Sequence, residues 1–170
     1  SPIPLSDVLP MLENMGLRVM SETPYEIVPQ AVAATGSAQS VVWLHDLTVF
    51  CRDCKEVDLP TLKPLFEEAF SSVWQGQAES DGFNRLVLNA GLRAREVTAL
   101  RAFAKYLRQA GIPFSQAYME DTRSSYPKIA RKLADLFLAQ HNPAKTAEAE
   151  TRGKAIAEDI AHQLDEVQNL

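Results

Sequence analysis

The pattern of apolar and polar residues divides the chain into a mixed first part and a helical second part. At the start, apolar residues spaced by three and four predict a helix capped by Ser6 and ended by Gly16. Two stretches rich in β-branched and aromatic residues, 18–28 and 41–50, then predict strands. Because Pro24 lacks a backbone donor, we expect the first strand to be kinked or in two pieces.

A loop and a strongly amphipathic helix complete the first part. Residues 29–40 are small and aperiodic, which predicts a loop between the strands. From Leu59 the apolar residues recur at helical spacing, and Asp58 is the expected N-cap. Three aromatic residues on one face of this helix should make the main contact with the second part: Phe66, Phe70 and Trp74.

The order helix, strand, strand, helix is the middle of a βαββαβ ferredoxin-like unit. No first strand precedes the opening helix, and no last strand is evident after Gly76. We therefore expect residues 1–78 to form a partial ferredoxin-like α/β unit, and the chain as a whole to be of the α+β class.

Residues 79–143 predict a mostly helical module with short connections. Asp81 can cap a short helix that Gly91 ends, and a longer helix after it is ended by Gly111. Two serines are the expected caps of the next two helices, Ser115 and Ser125.

Residues 144–170 predict an amphipathic tail helix with Gly153 in a hinge. Its stripe should be poorly buried in this chain, because nothing after Leu170 is present to cover it. We expect it to pack on a further part of a longer protein. The stripe consists of Ile156, Ile160, Leu164 and Val167.

Composition and charge narrow the function classes. The 170 residues carry a formal net charge of −5, which argues against binding a nucleic-acid backbone. No apolar run is long enough to cross a membrane and no export leader is visible, so we expect a cytoplasmic location. Because the chain starts without Met and stops within an amphipathic pattern, we interpret it as a fragment.

Two short motifs could suggest chemistry but favour structural roles. Cys51 and Cys54 have neither the helix start that a redox pair needs nor two further ligands for zinc, so reduced thiols without metal are expected. His45 and Asp46 are adjacent in a strand and point to opposite faces, which disfavours an acid/base pair. The histidine should instead order the sheet.

Clustered cations define a candidate docking face on the long helix. Arg101, Lys105 and Arg108 share one side of it, as either a solvated surface or a docking face for an acidic partner or an anionic effector. Arg93 and Arg95 lie at the start of this helix, where positive charge opposes the helix dipole, and local carboxylates should hold them.

Residues 81–85, Asp-Gly-Phe-Asn-Arg, combine a cap, a flexible glycine and two side chains with several donors. This combination suits a ligand loop or, as we favour, a structural role in which polar side chains tie the start of a helix to the preceding helix. The glycines form no phosphate-binding pattern, so no cofactor site is expected in this chain.

Several uncommon residue combinations together carry a family resemblance that extends from Pro2 to Pro143. They include residues 12–19, 81–85, 95–97, 106–109 and 113–116. These combinations resemble the segment ahead of the catalytic core in the large bacterial NAD-dependent glutamate dehydrogenases. The resemblance implies that the α/β unit is ACT-like, that no catalytic residue lies here, and that NAD belongs to the rest of the parent enzyme.

Two hypotheses of function follow from the residues and the resemblance. The first is a regulatory and scaffolding segment of such an enzyme. Its partners would be the remainder of the same polypeptide, other subunits of a homo-oligomer and a small-molecule effector. The second is a free-standing adaptor domain that binds another protein. An open reading frame that continues into a dinucleotide-binding domain would separate the two hypotheses.

Overall fold

The fold is seen in a computed structural model. Its described residues are 3–27, 42–52, 54, 58–141 and 147–167. The loop predicted at 29–40 therefore lies outside them. Among the described residues, no helix is both long and apolar enough to cross a membrane.

The first part has the predicted order of elements. It consists of helix α1 (Leu5–Asn14), strand β1 (Leu17–Ile27), strand β2 (Val42–Cys51) and helix α2 (Leu59–Trp74). The two strands form an antiparallel sheet, and within the described residues the sheet has no third strand. This arrangement is consistent with a partial ACT-like α/β unit, so the expected fold class is confirmed.

Strand β1 is one continuous strand, so the prediction of a break at Pro24 is wrong. Pro24 lies opposite His45, and the irregularity in the pairing falls earlier, between Val19 and Ser21. Each strand of a two-stranded sheet has a free edge, where a missing N–H removes no ladder bond. The strand can therefore include proline.

Helix caps follow the predictions at some positions and not at others. Gly16 has the positive φ of +84° that ends α1 as expected. Ser6 is not a cap, because α1 begins at Leu5 with Pro4 at the N-cap position. Asp58 does occupy the N-cap position of α2, but its carboxylate accepts a 2.6 Å hydrogen bond from the hydroxyl of Thr61 rather than from a backbone N–H.

The second part is helical, as predicted. A 3₁₀ helix opens it and five α-helices follow: the 3₁₀ helix Gly82–Arg85, α3 (Leu86–Asn89), α4 (Ala94–Gln109), α5 (Gln116–Ser125), α6 (Pro127–Gln140) and α7 (Ala147–Asp165). Ser115 caps α5 as expected, since its hydroxyl accepts from the N–H of Tyr118. Ser125 does not cap α6, because its hydroxyl donates to the carbonyl of Asp121.

One apolar core joins the two parts. Phe83 and Leu86 lie at its centre, with 1% and 0% of their surface exposed. Met15 at the end of α1 and Val73 of α2 belong to the same cluster. The α/β unit and the helical module are therefore packed together rather than held by a linker.

The contact from α2 differs from the prediction. Ala69 and Val73 are its buried residues, whereas Phe66 and Phe70 are half-buried and Trp74 is 42% exposed. Small side chains on the buried face let α2 approach the core closely, so the larger rings are displaced to its margin. There Phe70 stacks against both of its aromatic neighbours.

The tail helix is docked on its own module, contrary to the expectation of a poorly buried stripe. Gly153 and Ile160 of α7 are buried, and Gly153 lies within the helix rather than in a hinge. A Cβ added at Gly153 would lie 3.9 Å from the Cβ of Ala139 on α6. That distance is an ordinary van der Waals contact, so the two helices lie directly against each other at Gly153. Leu164 remains 44% exposed.

We expect Phe83→Ala to lower the free energy of unfolding by about 3 to 5 kcal/mol, because it empties the centre of the shared core. Trp74→Ala, the matched control at an exposed aromatic residue, should cost less than about 1 kcal/mol. Urea denaturation of both variants checks this. Similar losses in the two variants would contradict the assignment of the core.

In the tail, backbone amides from Gly153 to Ile160 should exchange with deuterium more slowly than those near Leu164. The first segment begins and ends at a buried residue, Gly153 and Ile160, whereas Leu164 is 44% exposed. Hydrogen exchange on a confirmed monomer measures the difference. Fast exchange along the whole of α7 would show that the tail is undocked in solution.

Candidate functional site

Arg101 of α4 is buried and forms the most extensively bonded polar cluster among the described residues. It is 4% exposed, and its guanidinium binds both carboxylate oxygens of Asp81, with Nε 2.6 Å from Oδ2 and Nη2 2.8 Å from Oδ1. Nη2 also donates to Oδ1 of Asn84 at 2.6 Å and to the carbonyl of Glu79 at 3.3 Å. A bidentate, charge-assisted pair of this kind is stronger than neutral hydrogen bonds and fixes the orientation of the two side chains relative to each other.

The 3₁₀ helix is built around the same polar groups. Asp81 accepts a 3.1 Å hydrogen bond from the N–H of Phe83, so it caps the 3₁₀ helix as predicted. The side-chain amide of Asn84 donates to the carbonyl of Glu79 at 2.9 Å. Residues 81–85 therefore have the structural role that we favoured, but their polar side chains tie the 3₁₀ helix to the later helix α4 rather than to the preceding helix.

Gly82 allows α5 to approach this link. A Cβ added at Gly82 would lie 2.5 Å from Oε2 of Glu120, which is too close for any side chain without a shift of that carboxylate. Arg123, also on α5, lies over the ring of Phe83 at 5.5 Å from its centroid and donates to the carbonyl of Leu100. Burial lowers the pKa of Arg123.

The candidate docking face does not consist of three exposed cations. Arg101 points into the molecule, so it is unavailable to a partner, whereas Lys105 and Arg108 are exposed. Lys105 binds Glu79 and thereby lowers the pKa of that carboxyl, and Arg108 donates to Gln116 at 3.2 Å. Docking at this face stays a prediction, now based on Lys105 and Arg108.

A second charged cluster joins α6 to the start of α4. Arg131 binds Asp135 at 2.7 Å and Glu96 at 3.2 Å, and it donates to the carbonyl of Gly91 at 3.3 Å. Its bonds to Asp135 and Glu96 raise the pKa of Arg131. Glu96 also accepts a 2.9 Å hydrogen bond from the N–H of Arg93 and so satisfies one of the free donors of α4.

The cysteine pair corrects another prediction. Cys51 and Cys54 form a disulfide rather than two reduced thiols. Their Cα atoms lie 5.6 Å apart, within the range of roughly 4.4 to 6.8 Å that disulfides usually span. The prediction failed because it asked for the helix start of a redox pair, whereas a structural disulfide needs only two Cα atoms within this range.

His45 connects the two strands, as predicted. Its Nδ1 donates to Oε1 of Glu22 on β1 at 2.7 Å, and both side chains are less than one-fifth exposed.

Among the described residues, no group of three His, Cys, Asp or Glu side chains could hold a metal ion.

An apolar groove lies between the sheet and α2. It has a volume of about 450 Å³ and is lined mainly by aliphatic side chains and the disulfide. The lining includes Leu17, Leu47, Cys51, Cys54, Leu62 and Phe66.

Sequence reasoning missed the burial of Arg101, although the sequence carries a signal for it. Arg101 follows Val97 by four positions and precedes Ala104 by three, so it flanks the apolar stripe of α4. An arginine on that flank, twenty residues after an aspartate that caps a short helix, is a candidate for a buried ion pair.

Comparison with protein families defines the class of this arrangement. Residues 1–62 match the family model for the glutamate dehydrogenase ACT3 domain. Residues 78–143 match the model for glutamate dehydrogenase helical motif 3. Residues 1–62 of the mixed first part thus carry an ACT-type domain, and residues 78–143 carry a helical motif of the same enzymes.

Relatives identify the family more closely. The chain is 42% identical to the NAD-specific glutamate dehydrogenase of Halomonas elongata and 39% identical to that of Pseudomonas aeruginosa, in both cases over its whole length. It is 36% identical to the Mycobacterium tuberculosis enzyme over 98% of its length. The chain belongs to the NAD-specific glutamate dehydrogenase family. It spans about 10% of the length of each of these relatives.

Replacing Arg101 by Met should lower the free energy of unfolding by about 3 to 5 kcal/mol, because it leaves Asp81 and Asn84 without their buried partner. Lys105→Met, which removes an exposed cation from the same helix, should cost less than about 1 kcal/mol. Denaturant titration compares the two variants. Equal and small losses would mean that Arg101 is solvated in solution.

Proposed function

We propose that this chain is a non-catalytic regulatory and scaffolding segment of an NAD-dependent glutamate dehydrogenase. The parent enzyme would convert L-glutamate, NAD and water to 2-oxoglutarate, ammonium and NADH. The observation that carries the proposal is the single core shared by the ACT-type unit and the helical module. A rigid, two-part body of this kind suits a segment that positions or regulates other domains.

The use of charged residues supports a scaffolding role. In the described residues, the buried or half-buried cations Arg101 and Arg131 are both engaged in bonds that join one helix to another. Catalytic groups usually converge on a cleft and face a substrate. Here the polar groups around Arg101 and Arg131 bond to other residues of the fold instead.

The proposal assigns NAD to the remainder of the parent enzyme, and it assigns no catalytic residue to this chain. The partners would be the rest of the same polypeptide and further subunits of a homo-oligomer in the cytoplasm. A small-molecule effector of the ACT-like unit is part of the proposal, since regulation would act through the binding of such a ligand.

Exposed apolar residues on the sheet favour the alternative, a protein-binding adaptor. Met20 is 66% exposed, Leu44 54% and Phe50 60%, so the sheet offers apolar surface to another protein. In the leading proposal the rest of the parent polypeptide covers this surface. A reading frame that continues past Leu170 into a dinucleotide-binding domain favours the leading proposal, and one that stops there favours the adaptor.

We expect the purified chain neither to reduce NAD with glutamate nor to bind NADH tightly, because its sequence contains no glycine-rich phosphate loop. The rate of NADH formation and the quenching or enhancement of NADH fluorescence measure the two properties. A full-length NAD-specific glutamate dehydrogenase in the same assays serves as the positive control. Turnover above background by the chain alone would overturn the non-catalytic assignment.

A further inference from the structure

A charged cleft lies where the ACT-type unit meets the helical module. One wall is a face of α2 that includes Glu68, and the other is formed by the start of α4 together with Arg131 of α6. Its volume is about 860 Å³. Pockets of roughly 300 to 1,000 Å³ at the junction of two structural units are typical of small-molecule sites.

Two of the three arginines in the cleft are not neutralised by the protein. Arg131 is paired with Asp135 and Glu96, so its charge is already balanced. Arg93 and Arg95 are exposed, and among the described residues neither has a salt bridge within 4 Å. The expectation that local carboxylates hold these two side chains is therefore wrong.

The position of this free charge is unfavourable for the isolated fold. Arg93 is the N-cap residue of the 16-residue helix α4, and Arg95 lies in its first turn. The start of a helix carries partial positive charge, so cations there are repelled and anions are attracted. A bound anion would remove the repulsion. The chain as a whole is acidic, which makes the local excess of positive charge more distinct.

We propose that this cleft binds a small anion bearing carboxylate or phosphate oxygens, held by Arg93 and Arg95. Guanidinium groups present paired donors that match the oxygens of both chemical groups. Glu96 is committed to Arg131 and to the N–H of Arg93, so it does not compete for these two side chains. Glu68 on the opposite wall limits how much negative charge the cleft accepts.

The site would couple the two parts of the chain. A ligand held by the start of α4 would also contact α2, which belongs to the ACT-type unit. Binding would therefore favour the arrangement in which these helices lie together. This inference deepens the proposed regulatory role and rests on it for its biological meaning, whereas the binding itself is measured independently.

The test uses the whole 170-residue chain, with inorganic phosphate and succinate as separate probes. Isothermal titration calorimetry at constant ionic strength, balanced with chloride, measures each affinity. The variant is Arg93→Gln with Arg95→Gln. Its matched control, Arg18→Gln with Arg52→Gln, removes the same charge from exposed positions outside the cleft lining.

We expect saturable binding of at least one probe, weakened roughly tenfold or more in the cleft variant and less than about twofold in the control. The better probe identifies whether the site prefers phosphate or carboxylate. That probe should also raise the melting temperature of the wild type but not of the cleft variant, with circular dichroism confirming that both are folded.

Two results would overturn the proposal: no saturable binding of either probe, or equal weakening in the cleft and control variants. Either result removes the anion site alone. The non-catalytic assignment is tested separately by the NAD and NADH assays, and membership of a longer enzyme is tested by the reading frame, so the failures are distinguishable.

Discussion

The buried ion pair between Arg101 and Asp81 is the interaction on which the rest of the structure depends. Removing a guanidinium from water costs free energy unless its charge is paired and its N–H groups find acceptors. Here Asp81 supplies the opposite charge, and Asp81 and Asn84 accept hydrogen bonds from Nε and Nη2; both residues lie at the 3₁₀ helix. The pair therefore determines where that helix sits on α4, and with it the position of Phe83 at the centre of the core.

The core extends this constraint to the ACT-type unit. Met15 and Val73 come from the first part of the chain and pack in the same cluster as Phe83 and Leu86. Displacing the 3₁₀ helix would thus disturb contacts with the first part of the chain as well as contacts within the helical module. Two separate family models match residues 1–62 and 78–143, but buried apolar residues of the first part and of the helical module pack in one cluster.

Local patterns predicted most of the elements, and three-dimensional proximity decided the rest. The order of helices and strands, the end of α1 at Gly16 and the cap at Ser115 depend on neighbouring residues, so the sequence contains them. The docking of α7 on α6 depends on contacts between separate helices, which no local pattern encodes. The disulfide joins residues only three positions apart, and it was missed because a structural disulfide does not need the helix start that a redox pair needs. Ser125 failed as a cap because its hydroxyl found a carbonyl partner within the preceding helix.

Four arginines of this chain have different roles because they differ in burial and in their acidic partners. Arg101 is buried and paired with Asp81, and Arg131 is partly exposed and binds two acidic side chains. Arg93 and Arg95 are exposed without an acidic partner among the described residues. From sequence alone all four are cations on or near helices. A charge that the protein has neutralised holds the structure together, whereas a charge left free at the edge of a cleft remains able to bind a ligand. Arg93 and Arg95 are therefore better candidates for ligand binding than the buried Arg101.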